Sequence, residues 1–258
     1  MDPVLHVRAF EDNYIWLVRG QSADQVAIID PGDAAPALAA LAQQHLTPVA
    51  ILCTHHHGDH VGGVEELRAH YRVPVYGPAQ ERIPSLTHRL RGGERVRLDA
   101  LGLAFDVLDV PGHTAGHIAY YGAHLLFCGD TLFSAGCGRL FEGTAEQLHD
   151  SLSRLAALPP DTAVYCAHEY TASNLRFALA VEPDNADSRR HQERVRELRA
   201  RNEPTLPSTI GHERRINPFL RTAEPSVRLA VSAWSGREVV SDTETFALLR
   251  RWKDGFRG

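Results

Sequence analysis

Within the run Thr54-His55-His56-His57-Gly58-Asp59-His60, four imidazoles and one carboxylate fall in seven consecutive residues. Imidazole nitrogens and carboxylate oxygens are the ligands that divalent zinc, iron and manganese take from proteins. In an extended segment alternate side chains face the same way, so His55 and His57 share one side and His56 takes the other. Gly58 permits a tight turn. Asp59 and His60 then offer a carboxylate–imidazole pair in a second direction. One short loop presenting two ligand sets suits two neighbouring metal ions better than one, and two such ions are an apparatus for hydrolysis.

Three further candidates lie far along the chain, each in the same kind of place. His113 follows the β-rich run 105–110 within Pro111-Gly112-His113-Thr114, Asp130 follows run 125–128 through Gly129, and His168 follows run 163–166 through Ala167. In α/β folds, loops at the carboxyl ends of strands converge on the ligand. Taken singly, His113 and His168 read as structural and Asp130 as a turn residue. Together with the 55–60 loop they make four strand ends that each carry His or Asp. His56 and His117 read as supporting or packing residues. The other eight histidines (6, 45, 70, 88, 124, 149, 191 and 212) read as surface or core. No serine or cysteine nucleophile motif stands out.

The elements needed to hold these residues are visible in the pattern. Strands are expected at 26–29, 49–53, 105–110, 117–121, 125–128 and 163–166, and helices at 34–45 and 64–71. Asp33 is placed as a helix cap, with Leu38, Leu41 and Ala42 on the buried face. Thr144-Ala145-Glu146-Gln147 matches a capping box ahead of Leu148, Leu152 and Leu155. After about residue 170 strand signals stop and helices are expected at 173–181, 187–202 and 242–256, with a Pro-containing connection at 203–225. The layout is α/β, with sheets covered by helices.

Composition narrows the rest. The 258 residues are 43% hydrophobic, enough for a sizeable core. Lys+Arg total 27 against Asp+Glu 32, a net charge of −5, and nucleic-acid-binding chains normally carry a basic excess. Cys53, Cys128, Cys137 and Cys166 form no CxxC pair, and Met1-Asp2-Pro3-Val4 lacks the positive flank of an export signal. No apolar run reaches the ~20 residues that span a bilayer. A reduced, cytoplasmic, monomeric chain without nucleic-acid or membrane partners is expected.

The segment Thr54–Gly63 resembles the THxHxDHxGG signature of the metallo-β-lactamase superfamily. Within that superfamily the chain resembles glyoxalase II, the hydroxyacylglutathione hydrolases, over essentially its full length. The supporting segments are Asp130-Thr131-Leu132-Phe133, Gly136-Cys137-Gly138-Arg139, His168-Glu169-Tyr170-Thr171, Asn217-Pro218-Phe219-Leu220-Arg221 and Arg250-Arg251-Trp252-Lys253-Asp254-Gly255-Phe256. The resemblance implies a four-layer αββα catalytic domain over 1–170 and a mostly helical substrate-binding domain over 171–258. It implies one metal on His55, His57 and His113, a second on Asp59, His60 and His168, and Asp130 bridging both. Zinc is the expected metal, with iron or manganese also suited to such ligands.

The implied reaction is hydrolysis of S-D-lactoylglutathione and related 2-hydroxyacyl glutathiones, the second step of methylglyoxal detoxification, by a hydroxide that bridges the metals. Asp59 and Asp130 are the residues nearest that chemistry. Asp30, before Pro31-Gly32, resembles an acid that supports the ligands from behind. Arg250 and Lys253, three apart on one helix, match the family's glutathione contacts, as do Tyr170 and the segment Arg139–Phe141. Where the family pattern carries lysine and tyrosine, this chain has Arg139 and Phe141. The charge is kept, but position 141 has no hydroxyl to offer. The rival within the superfamily is a persulfide dioxygenase with a single iron, which would lack the long helical tail.

Overall fold

The computed structural model describes residues 3–20 and 24–258. Met1-Asp2, part of the segment read above for an export signal, lies outside them. The chain divides into two compact units, Met1–Val110 with Ala115–Gly129, and Pro111–Thr114 with Asp130–Gly258.

The first unit is built on strands. β1 (Val4–Ala9) and β2 (Asn13–Arg19) form an antiparallel hairpin, and β3 (Gln25–Ile29) pairs antiparallel with β2. From β3 onward the pairing is parallel: β4 (Thr47–Leu52), β5 (Val75–Pro78) and β6 (His88–Leu90) complete a six-stranded sheet. Parallel strands need crossovers, supplied by α1 (Ala34–Gln43), then by α2 (Gly58–Val61) with α3 (Val64–Tyr71). β2, β3 and β4 are nearly unbroken apolar runs because helices and neighbouring residues cover both faces. Val26, Ile28, Ile51, Leu41, Val64 and Leu67 meet in the core of this unit. β7 (Arg95–Leu98), β8 (Leu103–Asp109), β9 (Ile118–Gly122) and β10 (Leu125–Gly129) follow as an antiparallel array in that order.

The second unit is mainly helical. Short strands β11 (Leu132–Phe133) and β12 (Gly136–Cys137) pair with each other. α4 (Ala145–Ala156) begins at a complete capping box, with Thr144 and Gln147 each bonding the other's backbone, and buries Leu148, Leu152 and Leu155. β13 (Ala163–Cys166) leads to α5 (Thr171–Val181) and α6 (Ala186–Ala200), then β14 (Ser208–Thr209), α7 (Ile210–Ile216), α8 (Pro225–Ser235) and α9 (Asp242–Gly255). Phe177, Phe219, Phe246 and Trp252 pack ring against ring beneath α9.

The structure differs from the sequence-based expectation in four places. β1, β2, β5–β7, β11 and β12 are strands that the pattern did not expose. In α1 the buried face is Ala34, Ala37 and Leu41, while Ala42 is exposed. The 203–225 connection contains β14, which exists by pairing with β13, and α7, which buries Ile210, Glu213 and Ile216 at a three-residue interval. α8 starts on Pro225, a residue suited to the first helical turn, though in the sequence it read as the end of a loop.

Candidate active site

In the first unit the 54–60 segment leaves β4 and enters α2 at once. His57 is the residue before the helix, and His60 lies buried inside it. Gly58 is not needed for a sharp turn, since a Cβ there would meet nothing within 4 Å. The demanding glycine is Gly32, where a Cβ would lie 1.8 Å from the Asp59 carbonyl oxygen. Close approach of the Asp30-Pro31-Gly32 turn to the histidine loop is what that glycine permits.

Asp30 is the hub of this half. It is buried and holds φ at +49°, a left-handed conformation that aspartate tolerates better than most residues. Its Oδ1 accepts from the Thr54 amide at 2.7 Å, and its Oδ2 accepts from Thr54 Oγ1 at 2.7 Å and His60 Nδ1 at 3.1 Å. These bonds set the tautomers. Thr54 spends its one hydroxyl proton on Asp30, so at 3.1 Å its oxygen accepts from His55 Nδ1. His60 likewise carries its proton on Nδ1. Both rings therefore turn an unprotonated Nε2 outward, the form in which imidazole binds a metal. His55 Nε2 lies 3.1 Å from His57 Nδ1, and His60 Nε2 lies 3.6 Å from Asp59 Oδ2. His56 points elsewhere, its Nδ1 3.0 Å from Glu81 Oε2, and His117 stacks on His55 at 4.5 Å.

The second unit repeats the arrangement. His113 Nδ1 donates to the Arg139 carbonyl at 2.9 Å, again leaving Nε2 unprotonated, 3.4 Å from Asp130 Oδ2. His168 Nε2 lies 3.3 Å from the other oxygen, Asp130 Oδ1. One carboxylate thus has a separate imidazole at each oxygen, as a ligand shared by two cations would. In both units imidazole nitrogens lie beside carboxylate oxygens at short range. Such a donor set fits divalent cations.

A cavity of about 500 Å³ in the second unit has His113 and Asp130 in its wall, together with Arg139, Phe141, Tyr170 and Lys253. The Tyr170 ring lies flat on His168, with centroids 4.7 Å apart and planes 4° apart, and Phe141 stands edge-on to His113 at 5.2 Å. Lys253 Nζ sits between the rings of Phe177 and Phe256 and donates to the Ser173 carbonyl at 3.3 Å. Burial, with help from Arg250 and Arg176, brings the Lys253 ammonium down to about 8. Arg250 is buried, and its Nη1 donates to the Cys137 carbonyl at 2.9 Å while Nη2 pairs with Asp254 at 3.0 Å.

Comparison with known proteins bears on this geometry. Residues 9–168 match the family described as the metallo-beta-lactamase superfamily, and residues 169–256 match the hydroxyacylglutathione hydrolase C-terminus. The Hydroxyacylglutathione hydrolase of Nitrosomonas eutropha is 53% identical over 257 residues, covering 100% of both chains. That of Pseudomonas entomophila is 57% identical, covering 96% of this chain and 97% of its own. The chain belongs to the hydroxyacylglutathione hydrolase family. Among solved structures, ETHE1 from Myxococcus xanthus shares the fold with a TM-score of 0.67 and 27% identity, covering 98% of this chain and 90% of its own. TTHA1623, solved in a di-iron-bound form, has a TM-score of 0.59 and 30% identity, covering 85% of this chain and 100% of its own. The expected α/β metallo-β-lactamase fold is therefore the observed fold class.

For a hydroxyacylglutathione hydrolase, two residues stand out that the sequence did not single out. Asn13, at the start of β2, donates to Asp59 Oδ2 at 2.9 Å and steers that carboxylate. Thr54 carries the bond chain from Asp30 to His55. Thr54 opens the motif and had a legible signal; Asn13 is 46 residues from its partner and had none.

Proposed function

We propose that the chain hydrolyses the thioester of S-D-lactoylglutathione and related 2-hydroxyacyl glutathiones to the free hydroxy acid and glutathione. One observation carries the reading. A single cavity holds candidate metal ligands, His113 and Asp130, beside the cations Lys253 and Arg139 and the aromatic face of Tyr170. Glutathione thioesters bring two carboxylates and an ammonium, which need cationic partners close to the reacting carbonyl. The family membership supports the same substrate.

The full ligand proposal is His55, His57 and His113 for one metal, Asp59, His60 and His168 for a second, and Asp130 for both. Two divalent ions, with zinc the first choice, supply Lewis acidity and a nucleophile usable at neutral pH. The chain's own task is then to orient and bind. Asp30 and the Arg139 carbonyl fix the imidazole tautomers. Lys253, Arg139 and Tyr170 hold the glutathione part, with Phe141 contributing apolar contact only, and Arg250 supports the Cys137–Gly138 wall. The thiolate product, from a thiol of pKa about 8.5, leaves without a strong general acid. No cysteine competes as nucleophile: all four are buried, Cys53 is pushed well up by burial, and Cys137 is pushed up to about 11 by burial.

We take residues 1–170 as the catalytic domain and 171–258 as the substrate-binding domain, acting as a cytoplasmic monomer. Among the described residues no helix is long and apolar enough to cross a membrane. The test is loss of thioester absorbance with S-D-lactoylglutathione, alongside elemental analysis. Activity should vanish on chelation and return with metal, and Asp130→Ala should hold less than one ion per chain. Full activity in metal-free protein, or two ions retained by Asp130→Ala, would sink the mechanism.

A further inference from the structure

Away from the residues discussed above, α6, α7 and the strand between them enclose a second cavity, of about 430 Å³. Its walls carry Arg190, His191 and Arg194 from α6 and His212 and Arg215 from α7, against one acid, Asp187. Asp187 is already engaged, with Oδ1 at 2.7 Å from Arg190 and Oδ2 at 3.7 Å from Arg215. Arg194 makes no ion pair among the described residues. In a chain of net charge −5, this is a local excess of cations.

The two histidines sharpen the case. Their rings meet edge to face, 4.5 Å apart. Arg215 Nη2 lies 3.3 Å from His212 Nδ1, and a guanidinium can only donate, so Nδ1 accepts and the His212 proton resides on Nε2. That Nε2–H is buried and has no acceptor among the described residues; His191 Nε2 is also buried without a partner. The neighbouring hydroxyls are committed: Ser208 donates to Glu213, and Thr209 caps α7. The cavity is rich in donors and short of acceptors. A cation is disfavoured by three arginines, so a metal on the two imidazoles does not fit. An oxyanion with several acceptor atoms does.

We infer that this cavity is a binding site for a phosphate-type dianion, free or as an ester of a small molecule, held by Arg190, Arg194 and Arg215 beside the rings of His191 and His212. The site is separate from the proposed thioester chemistry. Burial, His212 and Arg194 push His191 down to about 4, and burial with Arg215 lowers His212, so both rings are neutral at pH 7 without a ligand. A dianion counters those causes and raises both.

The experiment uses the full-length, metal-loaded chain with labelled histidine, followed by NMR of the ring Cε1–H groups. His191→Gln and His212→Gln assign the two signals. Inorganic phosphate is titrated at constant ionic strength, with glycerol phosphate as the ester and acetate as a monovalent control. Saturable shifts of His191 and His212 are expected, with a His191 titration moved up from about 4. Exposed Arg194→Gln should weaken phosphate binding about tenfold, the loss of one charge-assisted contact, and leave kcat and KM for the thioester unchanged. Either order of affinity between phosphate and ester supports the site and identifies its source. Non-saturating shifts, equal shifts with acetate, or binding unaltered in Arg194→Gln would overturn it.

Discussion

Asp30 and Lys253 carry the most pointed expectations for single side chains. Asp30 receives three donors, and through them it orients the His55 and His60 rings proposed to bind metal. Asp30→Asn replaces an acceptor oxygen with a donor that faces other donors, so a ring must turn or change tautomer. Metal content should drop below two ions per chain while far-ultraviolet circular dichroism is kept. Retention of both ions at unchanged affinity would remove Asp30 from that role. Lys253 loses its proton as pH rises through about 8. The cation proposed to receive a substrate carboxylate is present below that pH and lost above it, so KM should climb above about pH 8. Lys253→Ala should raise KM about 10- to 100-fold, a charge-assisted bond of about 1.5–3 kcal/mol, with kcat and metal content intact. A KM in the native enzyme that stays flat across pH 7–9.5 would argue against it. Arg250 differs from its neighbour. Its donors go to the Cys137 carbonyl and Asp254, so Arg250→Ala should lower the unfolding temperature as well as raise KM.

At the scale of elements, α4 shows how local sequence and tertiary burial agree. Its capping box was legible in Thr144-Ala145-Glu146-Gln147, and both reciprocal bonds are present. Thr144→Ala should cost about 1 kcal/mol, which for a chain of this size is about 2–4 °C in unfolding temperature. No change in a calorimetric scan would mean that burial of Leu148, Leu152 and Leu155 alone holds the helix. β14 and α7 make the contrast. A two-residue strand has no periodicity to read. Glu213 in α7 is buried where a carboxylate is unexpected, accepting from Ser134 Oγ, the Ala135 amide, Ser208 Oγ and Asn217 Nδ2. Those partners lie up to 79 residues away, so the pattern around position 213 reads as solvent-facing.

For the molecule as a whole, the proposed metals would act as ligands of the folded state. Ions that bind only the native chain stabilise it by mass action, about 4 kcal/mol at a free concentration a thousand times Kd. Chelation should therefore lower the unfolding temperature by several degrees, and returning zinc, iron or manganese in turn should rank the metals. Equal unfolding temperatures with and without metal would argue against ions held by a preformed donor set. The charge balance belongs to this scale too. The chain carries a net charge of −5, yet the α6–α7 cavity concentrates arginines in one place.

The candidate metal ligands were legible because their chemistry is local. His55, His57, Asp59 and His60 crowd one loop, and His113, Asp130 and His168 each follow an apolar run that had to be a strand. The helical character after residue 170 was legible for the same reason, since periodicity is a property of neighbours in sequence. Only the tertiary structure decided what holds those candidate side chains. The bonds from Asp30 to Thr54 and His60 span 24 and 30 residues, and that from His113 to the Arg139 carbonyl spans 26. Such pairings are set by how strands align and where turns close, and no local pattern encodes them. The same reason separates Arg250 from Lys253. In the sequence they are two cations on one helix face; in the fold both line the cavity, but Arg250 is buried with donors on the Cys137 carbonyl and Asp254, while Lys253 lies against the Phe177 and Phe256 rings with one bond to the Ser173 carbonyl.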